Sequence, residues 1–373
     1  MKKRILFLIH DLGPRGAEKV LVNLANGMDK SVFDVSVKTL FNWGPNIRAL
    51  GPDVKYSFWM PLNIRGNSYW MKLWTPAQLY KMIVQEQYDI VVSFLQGPCA
   101  RVIGGCPKDG TKVVEWIHTP ILNEEKFTEG FRNRIEAEKC YSRADMLVFV
   151  SEDVRKAFRE RFDSGKADQV LYNVFDNIDI RDKAAREPAD PPMDPGKLNW
   201  CGMGRLIPAK GWNRMLNIQK RLLDDGFPVH FYVIGDGPQR NELAELARQF
   251  GIWDSVTFTG YQSNPYQYLS RCMLFVCASE REGFSTAVIE SLMTGVPVCT
   301  VDVGGMREIL GENGEYGIVT ANDDEALYRA VRRFFEEPDY RSGYAALAAE
   351  RGRNFDRERS IQNAEEMFLS LSV

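Results

Sequence analysis

The chain has 373 residues, is 45% apolar and 26% charged, and carries a formal net charge of −3. That length points to two domains rather than one, and the absence of a basic excess argues against nucleic acid as a partner. No run of about eighteen apolar residues is present to span a membrane, and three histidines, none near paired cysteines, do not compose a zinc site.

The opening run, Met1 to His10, has the basic start of a signal peptide, but its apolar stretch is short and Asp11 ends it. Ile5 to Ile9 reads instead as a buried strand. The loop Gly13-Pro14-Arg15-Gly16 leads into a helix over 17–28, with Val20, Leu21, Leu24 and Met28 on one face. Between residues 58 and 74 the chain is rich in aromatics and Met with scattered cations: Phe58-Trp59-Met60-Pro61-Leu62-Asn63-Ile64-Arg65, then Tyr69-Trp70-Met71-Lys72-Leu73-Trp74. Such a stretch can pack a domain, dip into a lipid interface or grip a polyprenyl acceptor. Further strands are expected at 35–40, 90–94, 113–116 and 146–150, with helices such as 76–85 and 133–143 in the gaps.

Residues 182–197 hold four prolines, which exclude a regular element there. The pattern then restarts, with strands at 198–201, 229–234, 256–259, 273–276 and 296–300. Helices are expected at 212–225, 239–250, 286–294 and 324–336, and the tail, 357–371, reads as one more. Short apolar strands alternating with amphipathic helices imply parallel sheets covered on both faces. The expectation is an α/β chain of two doubly wound domains facing one cleft, with ligands at the carboxyl ends of the strands. Up to residue 185 there are 27 basic and 23 acidic side chains, and beyond it 20 and 27, so the front half better suits an anionic surface. Seven cysteines without a Cys-x-x-Cys pair fit buried free thiols in a reducing cytosol.

Two segments carry the chemistry. In Glu282-Gly283-Phe284-Ser285-Thr286-Ala287-Val288-Ile289-Glu290, Glu282 precedes a helix that Glu290 belongs to. The helix start offers N–H groups and a positive dipole end to a diphosphate, through Ser285, Thr286 and Ala287, and Gly283 permits close approach. Glu290 can accept hydrogen bonds from paired hydroxyls such as a ribose, and Glu282 faces the sugar. In Gly204-Arg205-Leu206-Ile207-Pro208-Ala209-Lys210-Gly211, two cations follow a strand and can neutralise a diphosphate leaving group. Together these residues read as a site for a nucleotide sugar. Each segment alone also fits a capped helix or a charged surface turn.

The run Gly202-Met203-Gly204-Arg205 to Gly211 resembles the G-R-L-x-x-x-K-G segment of family 4 retaining glycosyltransferases, which have the GT-B fold. Val233-Ile234-Gly235-Asp236-Gly237-Pro238 resembles their V-x-G-x-G-P turn, and Phe258-Thr259-Gly260-Tyr261 their base-side loop. Glu282 to Glu290, followed by Gly295-Val296-Pro297-Val298, resembles their E-x7-E region, and Gly304-Gly305-Met306-Arg307-Glu308 their later G-G-x-x-E. The five matches come in order over about 110 residues; the front half matches more loosely.

The resemblance implies the following roles. Arg205 and Lys210 bind the donor diphosphate, Glu290 the ribose, and Glu282, with the backbone near Phe284 and Ser285, the donor sugar. Tyr261, Gly235 and Gly237 border the base. Gly16-Ala17-Glu18 resembles the amino-terminal G-G-A-E loop, with Arg15 in place of its first glycine and available as an added phosphate contact. His118, closing a strand in Trp116-Ile117-His118-Thr119-Pro120, stands where the family often has a histidine near sugar and acceptor; His10 is a further candidate for the same region.

The expected organisation is an acceptor domain over 1–180, a linker over 181–197, a donor domain over 198–354 and a helix over 355–373 returning to the first domain. The expected activity is retaining transfer of a hexosyl group from an NDP-sugar, UDP favoured, to a glycan or polyprenyl or glycolipid acceptor in cell-envelope synthesis. No metal is expected, for no D-x-D motif is evident and the cations take its electrostatic part. The expected location is cytoplasmic, with peripheral association at the inner membrane surface. A non-catalytic nucleotide-sugar-binding subunit and a sugar-nucleotide epimerase stand as alternatives.

Overall fold

Strands β1 (Lys3–Ile9), β2 (Phe33–Phe41), β3 (Lys55–Met60), β4 (Ile90–Ser93), β5 (Lys112–Ile117), β6 (Met146–Phe149) and β7 (Ala167–Val170) pair in the order β3-β2-β1-β4-β5-β6-β7. The computed structural model describes residues 2–62, 67–188 and 190–371, without the side chains of 67 and 68. A second sheet comprises β8 (Leu198–Met203), β9 (Val229–Ile234), β10 (Val256–Gly260), β11 (Leu274–Cys277), β12 (Val298–Val301) and β13 (Ile318–Thr320), ordered β10-β9-β8-β11-β12-β13. Every strand pairing in both sheets is parallel. In each sheet the order runs outward from the first strand, then jumps back beside it to the fourth, as in doubly wound nucleotide-binding folds. The chain divides into two compact units, Met1–Phe175 with Arg357–Val373, and Asp176–Asp356.

The central strands are mostly apolar because helices cover both faces: β4 and β11 are buried at every position, with Ser93 the one polar residue of the two. In the first unit, Phe368 of helix Arg357–Ser370 sets its ring against Phe7 and Phe33, at centroid distances of 5.8 and 6.4 Å. Burying such a ring contributes about 1.5–3 kcal/mol, which fixes the tail helix to this unit. In the second unit Trp200 stacks on Phe231 at 4.0 Å, and its indole N–H donates to the buried Gln219 side chain at 2.7 Å.

Three strands escape the sequence pattern. Phe58, Trp59 and Met60 belong to β3, an edge strand with both faces partly in solvent, so it lacks the apolar run that marks a central strand. β7 alternates exposed and half-buried residues at the other edge, and β13 has three residues. Asn63, Ile64 and Arg65 of the aromatic segment, and Ala189 of the proline-rich one, lie outside the described residues. That proline-rich segment begins within helix Asn177–Ala184 and then runs along the second unit. There the carbonyl of Asp190 accepts from the Tyr268 hydroxyl at 2.5 Å, and the N–H of Asp194 donates to that of Tyr232 at 3.1 Å. All seven cysteines are buried and free.

Candidate functional site

β8 and β11 are adjacent, Trp200 pairing with Leu274 and Cys201 with Phe275, and the strand order reverses between them. Loops leaving such a pair at the carboxyl ends diverge and open a crevice. The candidate residues of the second unit sit on these two loops. After β8 the chain turns through Gly204 and Arg205 into a short 3-10 turn, Pro208–Lys210, and then helix Trp212–Asp224. Gly211 joins the two with φ +67, and a Cβ there would lie 2.2 Å from the Ala278 carbonyl oxygen, so the loops meet at a point only glycine fits. The Glu280 N–H donates to the Ala209 carbonyl at 3.0 Å and completes the stitch.

This contact brings Lys210 and Glu282 together. Lys210 Nζ lies 2.5 Å from Glu282 Oε1, with the two side chains 30% and 12% exposed. Ser279 Oγ donates to the same oxygen at 2.7 Å, and Cys277 Sγ approaches it at 3.9 Å. Burial alone would lower the Lys210 ammonium, but the Glu282 carboxylate outweighs it and the net shift is upward. Lys210 is therefore a cation at neutral pH. Arg205 is exposed; its carbonyl accepts from the Trp212 indole at 2.8 Å. A recess lined by Lys210, Cys277, Ser279, Glu282 and Ser285 lies between the loops.

Beyond Glu282 the chain buries Phe284 and Ser285 and enters helix Thr286–Met293, with Ser285 as an extended N-cap that makes no side-chain cap bond. The first backbone bond into this helix runs from Ile289 N to Ser285 O at 3.3 Å, so the N–H groups of Thr286, Ala287 and Val288 have no partner within the helix. Glu290 is buried one turn on, and its Oε1 accepts from the Tyr266 hydroxyl at 2.7 Å.

The turn after β9 closes on the β8 loop. Gly204 N–H donates to Ile234 O at 2.9 Å and Leu206 N–H to Asp236 O at 3.0 Å. Gly235 has φ +139, and a Cβ on it would meet the Gly204 carbonyl oxygen at 2.0 Å; one on Gly237 would meet Leu206 N at 2.6 Å. Tyr261 follows β10 with its side chain exposed.

In the first unit His118 follows β5 with its ring against Phe94 at 4.7 Å and stacked on Trp116. Burial pushes its pKa down to about 3, so the ring is neutral, and its buried Nε2 has no hydrogen-bond partner among the described residues. Gly16 opens helix Gly16–Gly27. Arg15, expected as an added phosphate contact, is engaged within the unit. It pairs with the buried carboxylates of Asp11 and Glu18, its Nε donating to Glu18 Oε1 at 2.6 Å. His10 Nδ1 lies 2.8 Å from Asp11 Oδ2.

Sequence reasoning missed Ser279 and Tyr266. Ser279 carried a faint signal, three residues before Glu282 at a strand end; Tyr266 carried none. No group of three or more His, Cys, Asp or Glu residues suited to a metal occurs among the described residues.

Residues 186–351 match the model of "Glycosyl transferases group 1" and residues 14–176 that of "Glycosyltransferase Family 4". The chain is 28% identical over 235 residues to the N-acetylgalactosamine-N,N'-diacetylbacillosaminyl-diphospho-undecaprenol 4-alpha-N-acetylgalactosaminyltransferase of Campylobacter jejuni subsp. jejuni serotype O:2, covering 62% of each chain. It is 27% identical over 224 residues to the lipopolysaccharide core biosynthesis glycosyltransferase LpsD of Rhizobium meliloti, covering 60% of this chain and 63% of that one. Both matches span less than two thirds of the relative's length. Among solved structures, Anabaena HepE in complex with UDP-glucose superposes with a TM-score of 0.78 at 20% identity, over 99% of this chain and 100% of that one. The two family matches divide the chain near the unit boundary, one ending at residue 176 and the other beginning at 186, and the fold agrees with both: the chain belongs to the family 4 glycosyltransferases of GT-B fold.

Proposed function

We propose that the chain is a retaining glycosyltransferase that moves a hexosyl group from an NDP-sugar, UDP favoured, to a glycan or lipid-linked acceptor of the cell envelope. The observation that carries this is the convergence of Lys210, Glu282 and a helix start at the reversal of the second sheet. Arg205, Lys210 and the Thr286–Met293 N-terminus hold the diphosphate, with Gly283 giving its backbone room. Glu282, with Phe284 and Ser285, holds the donor sugar, and Glu290 the ribose. Gly235, Gly237 and Tyr261 border the base. Gly16 and His118 serve from the first unit, which takes the acceptor, while the second takes the donor. His118, neutral at physiological pH, can hold a hydroxyl but cannot act as a standing acid.

In the reaction the bond from the anomeric carbon to the diphosphate oxygen breaks, and the acceptor oxygen bonds that carbon on the same face. The acceptor's proton passes to the departing diphosphate, whose charge Arg205 and Lys210 offset without a metal. The cell-envelope setting rests on the names of the two relatives above.

The first unit exposes Trp43, Phe58, Leu62, Tyr69 and Leu73, with Lys55 and Lys72 in the same stretches. We propose that these residues bring the protein to an anionic membrane surface from the cytoplasmic side. No helix among the described residues is long and apolar enough to cross a membrane.

A panel of UDP-, GDP- and ADP-sugars, assayed by thermal shift and by slow donor hydrolysis with EDTA present, tests the activity. One nucleotide class should stabilise the protein and release sugar. Tight binding without any turnover, even with acceptors supplied, would favour a non-catalytic binding subunit. Flotation with anionic liposomes tests the membrane surface, and a protein left at the bottom of the gradient would remove it.

A further inference from the structure

Glu290 is held from outside its own helix. Tyr266, 1% exposed, directs its hydroxyl to Glu290 Oε1 at 2.7 Å across 24 residues of sequence. Burial and the neighbouring Glu290 carboxylate both raise the phenol well above its usual range, so it stays a donor at any working pH. The tyrosine is itself well fixed. It opens the short helix Tyr266–Leu269, whose flanks are tied to the end of helix Asn177–Ala184. Asn264 Nδ2 donates to the Lys183 carbonyl at 2.9 Å, and Ser270 Oγ to that of Ala184 at 2.9 Å.

The terminal torsion of a glutamate is broad and nearly two-fold, so an unanchored carboxylate samples many orientations. A hydroxyl donating to one oxygen favours one of them, and a carboxylate oxygen can accept more than one hydrogen bond. We propose that Tyr266 is a positioning residue for nucleotide recognition, its hydroxyl orienting the Glu290 carboxylate toward the paired hydroxyls of the ribose. The proposal rests on the assignment of Glu290 to the ribose. It adds a consequence for the base as well. Tyr261 and Tyr266 belong to the one connection from β10 to β11, Tyr266 opening its short helix, so a single segment borders the base and sets the ribose acceptor.

The test measures Kd for UDP, GDP and ADP, each beside its 2′,3′-dideoxy counterpart, with the wild type, Tyr266→Phe and Glu290→Gln. Phenylalanine keeps the buried ring, and a thermal melt checks the fold. The wild type should prefer the ribose form of its nucleotide by about 10–100-fold, as expected for hydrogen bonds to a charged group. Tyr266→Phe should shrink that preference by about 3–10-fold while the dideoxy affinity holds, and should raise donor KM more than it lowers kcat. In a Glu290→Gln background the same change should add nothing. A folded Tyr266→Phe variant that keeps the full wild-type preference overturns the proposal while the ribose assignment stands. A wild type with no preference removes the ribose assignment itself, and the role of Tyr266 with it.

Discussion

The Lys210 ammonium pairs with the Glu282 carboxylate at 2.5 Å. A diphosphate that takes Lys210 must compete with that carboxylate and also approach its negative charge. Glu282→Gln should therefore bind UDP more tightly than the wild type while losing turnover. At 2.5 Å and an effective dielectric constant of about 20, the gross attraction of the pair is roughly 6–7 kcal/mol. Desolvation and lost freedom reduce the net value to about 1.5–3 kcal/mol for a charge-assisted bond. If binding recovers about 1–2 kcal/mol of this, UDP affinity rises about 5–30-fold. Glutamine keeps the shape and can still accept from Ser279, now at 2.7 Å, so the fold is preserved. Loss of the charged acceptor for the sugar should lower kcat by about 10²-fold. Titration calorimetry with UDP at two salt concentrations and initial rates with the UDP-sugar give both numbers. A folded Glu282→Gln variant that binds UDP equally or more weakly would refute the competition.

Lys210→Ala should reduce turnover by about 10²–10³-fold with the fold intact, read from initial rates beside a thermal melt; unchanged activity removes Lys210 from the mechanism. Arg15→Ala should destabilise the first unit by about 2–4 kcal/mol, because it strands the Asp11 and Glu18 carboxylates, 1% and 2% exposed. Its nucleotide affinity by calorimetry should be unchanged, whereas a phosphate contact would give the reverse pattern. His118 is neutral when folded, with its pKa held near 3 against an ordinary 6.5, so the unfolded chain takes up a proton first as the pH falls. Its contribution is level above pH 6.5 and turns destabilising below it, by about 2 kcal/mol at pH 5. The fall in Tm between pH 7 and pH 5 should be smaller in His118→Phe than in the wild type.

Lys210 and Glu282 were legible as candidates because each stands beside a turn or helix start, within a motif whose order along the chain can be read. Their pairing was not. They are 72 residues apart, and what joins them is the adjacency of β8 and β11, which skips β9 and β10 in sequence. Central strands announced themselves through apolar runs, whereas β3 did not, since an edge strand leaves Phe58 in solvent. Arg15 shows how local pairing escapes a motif reading: a cation in a phosphate-type loop reads as a ligand contact, and here Glu18, three residues on, and Asp11, two residues past β1, both pair with it.

Ser279 and Tyr266 share a reason for having been hidden. A residue that contacts a ligand must keep a particular charge or shape, which motif spacing can expose. A residue that orients another needs only to arrive from some direction with a donor. Ser279 reaches Glu282 from the same loop, and Tyr266 reaches Glu290 from the connection after β10. Both carboxylates thus have one oxygen, Oε1, held by a hydroxyl of the protein. A glutamate in such a site must present a fixed acceptor before the donor arrives, or part of the binding energy goes into ordering it. On the proposed assignment, this pattern of holding gives two acids, eight positions apart and indistinguishable by residue type, separate tasks as acceptors.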